Sequence, residues 1–230
     1  MADIDNDGDL DIIVGNDRIE NQVFKNDGNG NFTFDHYFGM KESNTRGLCI
    51  ADLNQDGFVD IVVANRKSQN YIYFNNSKGY FSKGEPFGNR DEATINIASA
   101  DLNQDGHIDL VLANRNSQPN KIYFGPNFEQ SFLFGEDNNE TRGVAIEDMN
   151  QDGFLDIITV NIGDKNGIYF GDGSGKYSRS IFFGKTSDAT MAVVIGDLDN
   201  DGDLDIVCLL YTSDAADDTP CVDLGGRRII

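Results

Sequence analysis

The chain has no tryptophan, four prolines, three cysteines and two histidines in 230 residues. So few cysteines exclude a disulfide-stapled scaffold. Two histidines leave little for an imidazole-based metal centre or a catalytic pair. No apolar run approaches the roughly 20 residues that a membrane-spanning helix needs. Positive charge is scarce too. Lys and Arg number 18 against 39 Asp and Glu, a net charge of -21. That balance excludes a nucleic-acid-binding surface, which requires clustered cations. What is present is a foldable composition: 39% hydrophobic and 10% aromatic residues, with 25 glycines. This is too apolar for a disordered chain and long enough for one large domain or two small ones.

A domain this acidic repels itself unless something neutralises it. The carboxylates fall in a repeat. Asp3–Asn16 reads DIDNDGDLDIIVGN, Asp52–Asn65 DLNQDGFVDIVVAN, Asp101–Asn114 DLNQDGHIDLVLAN, Asp148–Asn161 DMNQDGFLDIITVN and Asp197–Val207 DLDNDGDLDIV. The starts lie 49, 49, 47 and 49 residues apart. Each acidic segment leads into a β-branched run, a polar turn, an aromatic run such as Tyr71–Phe74, a Gly/Asn turn, and a further run ending in Phe-Gly. A polar loop and a small-residue apolar run such as Gly47–Ala51 close the unit. No run has a sustained helical period. Four short strands per unit of about 40–50 residues predict an all-β chain of propeller blades.

Counted from the first Asp, positions 1, 3, 5 and 9 of the acidic segment are Asp or Asn in all five copies, and position 6 is Gly. Alternating oxygen side chains followed by a sharp glycine turn let a loop curl around one hard cation, with the carbonyl of position 7 as a further ligand. The side chain at position 7 varies freely, as a backbone ligand allows. Oxygen-only donors point to calcium ahead of a transition metal. The predicted ligands are Asp3, Asp5, Asp7, Asp9 and Asp11 in the first loop and Asp52, Asn54, Asp56, Phe58 and Asp60 in the second. They are Asp101, Asn103, Asp105, His107 and Asp109 in the third, and Asp148, Asn150, Asp152, Phe154 and Asp156 in the fourth. In the fifth they are Asp197, Asp199, Asp201, Asp203 and Asp205. The loop is not an EF-hand, because position 12 is Val14, Val63, Leu112, Thr159 or Cys208 where that motif requires Glu, and its flanks are strands.

The Asp-x-Asp/Asn-x-Asp-Gly-x-x-Asp loop, the strand after it and the recurring Phe38-Gly39, Phe87-Gly88, Phe134-Gly135 and Phe183-Gly184 resemble the FG-GAP and VCBS-type repeats. Such repeats build integrin α-type β-propellers and many bacterial surface proteins. The resemblance covers about residues 1–207 and implies calcium ligation by side chains at positions 1, 3, 5 and 9 and by the carbonyl of position 7. The Gly-Ala-Pro element of the family name is absent, and the units are shorter than integrin blades.

Both ends are expected to be artificial. Met1 aligns with Ile50, Ser99, Ile146 and Ile195, so the first unit begins at the end of a strand. Back-translated, Cys208–Asp217 fits the transposon-end adapter of sequencing libraries, and Val222–Ile230 fits the outer adapter in the same frame. Residues 208–230 are therefore expected to be a non-native, disordered tail, leaving about four blades in an open arc. Cys49 remains as a small buried hydrophobe.

The expected function is that of a calcium-binding propeller module of a secreted or cell-surface protein, since calcium is abundant outside cells. It would bind a protein or carbohydrate ligand on the face opposite the acidic loops. The alternatives are a calcium-dependent domain of a polysaccharide-active enzyme and a structural spacer. No nucleophile–base pair is recognisable by spacing, so no catalytic residue is assigned. Arg18, Arg46, Arg66, Arg90, Arg115 and Arg142 fall in turns and linkers of that opposite face. They can serve either as cross-blade partners of Glu42, Asp91 and Glu140 or as contacts for an anionic or sugar ligand.

Overall fold

The computed structural model describes residues 1–81, 83–135, 140–211 and 221–222. Strand is the only regular secondary structure among those residues. The first sheet contains β1 (Ile12–Val14), β2 (Asn21–Asn26) and β3 (Phe32–Phe38). The second contains β4 (Thr45–Ala51), β5 (Asp60–Asn65), β6 (Asn70–Tyr73) and β7 (Gly84–Phe87). The third contains β8 (Thr94–Ala100), β9 (Asp109–Asn114), β10 (Asn120–Tyr123) and β11 (Ser131–Phe134). The fourth contains β12 (Thr141–Glu147), β13 (Asp156–Asn161), β14 (Asn166–Phe170) and β15 (Arg179–Phe183). The fifth contains β16 (Thr190–Gly196), β17 (Asp205–Leu210) and β18 (Cys221–Val222). Every pairing is antiparallel between neighbours in sequence, so each sheet is a meander and one sheet is one repeat unit.

The strands β4, β8, β12 and β16 pack against one another in turn. They form the inner edge of a row of blades. Substantial packing joins only successive sheets among the described residues, and the arc does not close. The second strand of each complete blade carries the burial. All six residues of β5, β9 and β13 are buried. These strands are covered on both faces by adjacent blades, which is why DIVVAN, DLVLAN and DIITVN read as continuous apolar runs and not as alternation.

The core is four clusters, each spanning a blade junction. The Phe of each Phe-Gly closes a junction. Phe38 meets Tyr73 of the next blade edge-on with ring centroids 5.4 Å apart, Phe87 meets Tyr123 at 5.7 Å and Phe134 meets Tyr169 at 5.2 Å. Such edge-to-face pairs contribute about 0.5–1.5 kcal/mol each beyond the area they bury. The glycine after each Phe has a positive φ, from 68 to 87°. It turns the chain from the outer strand towards the next blade's inner strand at little steric cost.

At the end of the blades that carries these glycines, buried amides tie neighbours together. Asn120 accepts from the N–H of Asn114 through Oδ1 at 2.8 Å and donates through Nδ2 to Thr141 Oγ1 of the next blade at 3.0 Å. Thr141 Oγ1 donates onward to Asn161 Oδ1 at 2.9 Å. Asn70 with Thr94 and Asn166 with Thr190 repeat the cross-blade contact.

Strand β17 continues past Val207. Cys208 is buried within the junction of the fourth and fifth sheets, and Leu209 and Leu210 pair with Ala192 and Thr190. Cys208, Leu209 and Leu210 are thus ordered strand, because the inner strand β16 offers seven residues to pair and Cys208 fills an apolar site. Residues 212–220 and 223–230, most of the segment expected to be non-native, lie outside the described residues. Cys49 is half-buried, and its Sγ donates to Ser99 Oγ of the next inner strand at 3.1 Å. Burial pushes its thiol pKa up.

Candidate metal centre

Each acidic segment is the loop between the first and second strands of a blade. A short hydrogen-bond code folds it. The carboxylate at position 1 receives two backbone N–H groups. Asp101 takes that of Asp105 at Oδ1 (3.1 Å) and that of Gly106 at Oδ2 (2.9 Å). The side chain at position 3 receives the N–H of position 5, as Asn103 does from Asp105 at 3.0 Å. Position 5 receives that of position 7, as Asp105 does from His107 at 2.9 Å. Asp3, Asp52, Asp148 and Asp197 repeat the first pattern. The chain reverses through left-handed backbone at position 4 (φ 58–60°) and at the position-6 glycines (φ 87–95°). A Cβ at those glycines would meet nothing within 4 Å, so the φ, not space, selects Gly there.

Position 9 lies deeper. Asp11, Asp60, Asp109, Asp156 and Asp205 are all buried. Asp109 accepts the N–H of Leu102 at 3.0 Å and that of Gly125 at 2.9 Å, tying the loop to the far end of β10. Asp11, Asp60 and Asp156 do the same. Burial raises the pKa of Asp60, Asp109 and Asp156, only partly offset by these N–H donors, with neighbouring carboxylates adding to the rise. Desolvation and the charges of Asp7, Asp3, Asp11 and Asp27 likewise raise that of Asp9.

Three predicted carboxylate ligands come together in the first and in the last loop. Oxygens of Asp3, Asp5 and Asp11 lie within 4.8 Å of one another, as do those of Asp197, Asp199 and Asp205. Asp5 Oδ1 is buried without a hydrogen-bond partner in the protein. Its Oδ2 accepts from Lys25 Nζ at 2.8 Å. In the second and third loops the position-3 amide donates instead to the position-5 carboxylate, Asn54 to Asp56 and Asn103 to Asp105, both at 3.0 Å. The residues Asp7, Asp9, Phe58, Asp152, Phe154, Asn150, His107, Asp201 and Asp203 lie on the loop rim, exposed or half-buried. The donor set is oxygen throughout and dense in negative charge, which fits a hard divalent cation.

One feature of the loops escapes a reading of carboxylates alone. The side chain at position 4 reaches the next blade. Asn6 donates to the carbonyl of Gly57 at 3.2 Å, Gln104 to that of Gly153 at 3.2 Å and Gln151 to that of Gly202 at 2.9 Å, with Gln55 donating likewise to Gly106. The signal was present in the sequence, since position 4 is Asn or Gln in all five copies.

The two histidines sit apart. His36 Nδ1 lies 2.7 Å from Asp35, and its Nε2 accepts the N–H of Phe81 at 3.4 Å, so it joins two blades. His107 is half-buried at its loop rim. At the opposite end of the blades, Arg46 pairs with Asp17 at 3.1 Å and Arg115 with Glu140 at 2.8 Å, both across junctions. Burial raises the Glu140 carboxyl, but the Arg115 guanidinium and the N–H of Asn116 outweigh it and lower the pKa.

Comparison with known proteins agrees with this architecture. No curated protein matches the chain. Among solved structures, a chain of the BBS1N–ARL6DN crystal structure soaked with mercury superposes with a TM-score of 0.55 at 13% identity, covering 87% of this chain and 57% of that one. A chain of the same complex soaked with lead gives 0.53 at 12% identity, covering 87% and 58%. This chain thus spans somewhat over half the length of those relatives, and at such identity the likeness speaks to fold alone, that of a β-propeller. The FG-GAP-like repeat matches four times, over residues 3–63, 52–112, 101–159 and 148–208, each match running from one acidic loop through the next. The chain belongs to the FG-GAP-like repeat family and folds as an open, incomplete β-propeller.

Proposed function

We propose that this chain is a calcium-binding propeller module of a secreted or cell-surface protein, which presents a protein or carbohydrate ligand site on the face opposite its acidic loops. The observation that carries the calcium reading is the first loop. Oxygens of Asp3, Asp5 and Asp11 converge within 4.8 Å, and one buried oxygen of Asp5 has no partner. Like charges at about 4 Å repel by about 1 kcal/mol in water and about 4 kcal/mol at an effective dielectric of 20. A calcium ion removes that repulsion and takes six to eight oxygen ligands. Side chains at positions 1, 3, 5 and 9 would hold it, with the position-7 carbonyl. Its role is to neutralise the loop and fix the turn between inner and second strands, which sets the blade frame. Weak affinity suffices where calcium is millimolar, which favours an extracellular setting.

The histidine placements support a non-catalytic module, because each is spent on a blade junction or a loop rim. The direct test is calorimetric titration of chelator-stripped protein with calcium. Several sites are expected. Replacing Asp101 and Asp105 together by Asn should remove one site while the others remain. Absence of any calcium heat or bound calcium would end the reading.

A further inference from the structure

The turns joining β1 to β2 and β5 to β6 and the linker from β3 to β4 line an open pocket of about 420 Å³ at the end of the blades opposite the acidic loops. Arg18, Glu42, Asn44, Arg66, Lys67 and Ser68 line it. The size falls in the range of small-ligand sites. The lining is unlike theirs in having no apolar side chain. It sets three cations against one carboxylate in a chain whose net charge is -21.

Three independent features mark this pocket. First, Asn44 Oδ1, Arg66 Nε and Ser68 Oγ are buried with no hydrogen-bond partner in the protein. Buried polar atoms are nearly always paired, and three orphans in one pocket ask for a common partner. Second, Arg18 and Lys67 hold left-handed backbone at φ 64 and 57°. Side chains of this kind rarely adopt that conformation. The matching turn of the third blade carries it on Asn116 and Ser117 and that of the fourth on Gly163. Third, little of the positive charge is spent internally. Arg18 lies 3.9 Å from Asp17 with its side chain 81% exposed, and Arg66 Nη2 donates to the neutral Asn116 Oδ1 at 3.3 Å. The positive region also extends along the face. Arg142 Nε is a further buried orphan, and burial with the charges of Arg115 and Arg66 pushes its pKa down. A cationic band on an acidic protein concentrates anions locally.

We propose that this pocket binds a sugar carboxylate, such as a uronic acid unit of an acidic carbohydrate. The inference rests on the ligand-face reading above and names the ligand class. The carboxylate satisfies Arg66 and Lys67, with Arg18 closing over it, and Ser68 adds a donor. The sugar hydroxyls donate to Asn44 Oδ1 and to Glu42. A ligand without hydroxyls leaves those two acceptors unmatched, and a dianion such as phosphate stands against the Glu42 charge. Only a hydroxylated monoanion matches both halves of the lining.

The test uses the full chain with calcium present, titrated separately with glucuronate, glucose and inorganic phosphate and followed by amide NMR shifts. Glucuronate should shift the amides of residues 66–68 and bind at least about tenfold more tightly than glucose or phosphate. A hydrogen bond to a charged group contributes about 1.5–3 kcal/mol, so Arg66→Gln and Lys67→Gln should each weaken glucuronate binding by about tenfold or more. If Arg66→Gln lowers the melting temperature, Lys67→Gln and Arg18→Gln, at exposed side chains, decide the matter. Absent glucuronate binding, equal binding of phosphate or glucose, or affinity unchanged in Lys67→Gln overturns the proposal. Calcium binding in the same sample keeps the two readings apart. A chain that binds calcium and a different ligand on this face, but not glucuronate, loses only the pocket.

Discussion

The amide of Gln104 donates to the carbonyl of Gly153 at 3.2 Å, across a blade junction and between two acidic loops. The same contact recurs from Asn6 to Gly57, Gln55 to Gly106 and Gln151 to Gly202. It makes a ladder of five loops along one face. Gly153 stands next to Asp152 and Phe154, both proposed to contribute to the fourth metal site. A cation that orders one loop therefore orders the acceptor, or the donor, of its neighbour. Coupling of this kind is reciprocal.

Replacing Gln104 by Gly removes the rung and keeps the left-handed backbone (φ 58°) accessible. A net hydrogen bond contributes about 0.5–1.5 kcal/mol, so the stability loss should be of that size. Calcium titration should become less cooperative in the variant. Unchanged cooperativity would show that the loops act independently.

Lys25 separates the first loop from the rest. It occupies the place held by Phe74, Phe124 and Phe170 in the following blades, and its Nζ lies 2.8 Å from Asp5 Oδ2. The hydrogen bond to Asp5 raises the lysine pKa against the opposing effect of burial. The ammonium thus competes with a metal for a predicted ligand. Lys25→Met should strengthen calcium binding at the first loop, by roughly the three- to tenfold expected of a partly exposed ion pair worth about 1 kcal/mol. It should destabilise the calcium-free protein. Weaker calcium binding in Lys25→Met would mean that the lysine orders Asp5 for the metal.

The buried position-9 carboxylates set a pH dependence with a definite sign. The pKa values of Asp60, Asp109 and Asp156 are raised above the ordinary 3.8 by burial. Between 3.8 and those raised values the folded chain binds more protons than the unfolded chain, so stability falls as pH rises through that window. In chelator, the melting temperature should rise as pH is lowered through that window towards 3.8. With calcium present the trend should reverse, because protons displace the metal. Parallel pH profiles with and without calcium would contradict this account.

Much of this fold was legible because position in the repeat maps directly onto position in a blade. The acidic loops, the Phe-Gly ends and the buried second strands all recur at fixed offsets. What escaped was the polar bonding between units. Asn120 reads as a strand-edge residue in isolation, yet it is 2% exposed and joins Asn114 to Thr141 of the next blade. Spacing along one unit cannot show a partner two strands away in its neighbour. The arginines divided for the same reason. Arg46 and Arg115 found carboxylates across junctions, while Arg66 lines a pocket whose other wall comes from the preceding linker. Past Val207, Cys208, Leu209 and Leu210 run on in β17, since pairing with β16 and an apolar junction hold these residues whatever their origin.

The central claim is that calcium holds the acidic loops, and thermal melting of the full chain in millimolar calcium and in excess chelator tests it most directly. One site at a calcium concentration 100 times its dissociation constant stabilises by about 2.7 kcal/mol. For a chain of this length each kcal/mol moves the midpoint by about 2–4 °C, so even a single site should raise it by about 5–11 °C. A midpoint that is the same in calcium and in chelator would contradict the account.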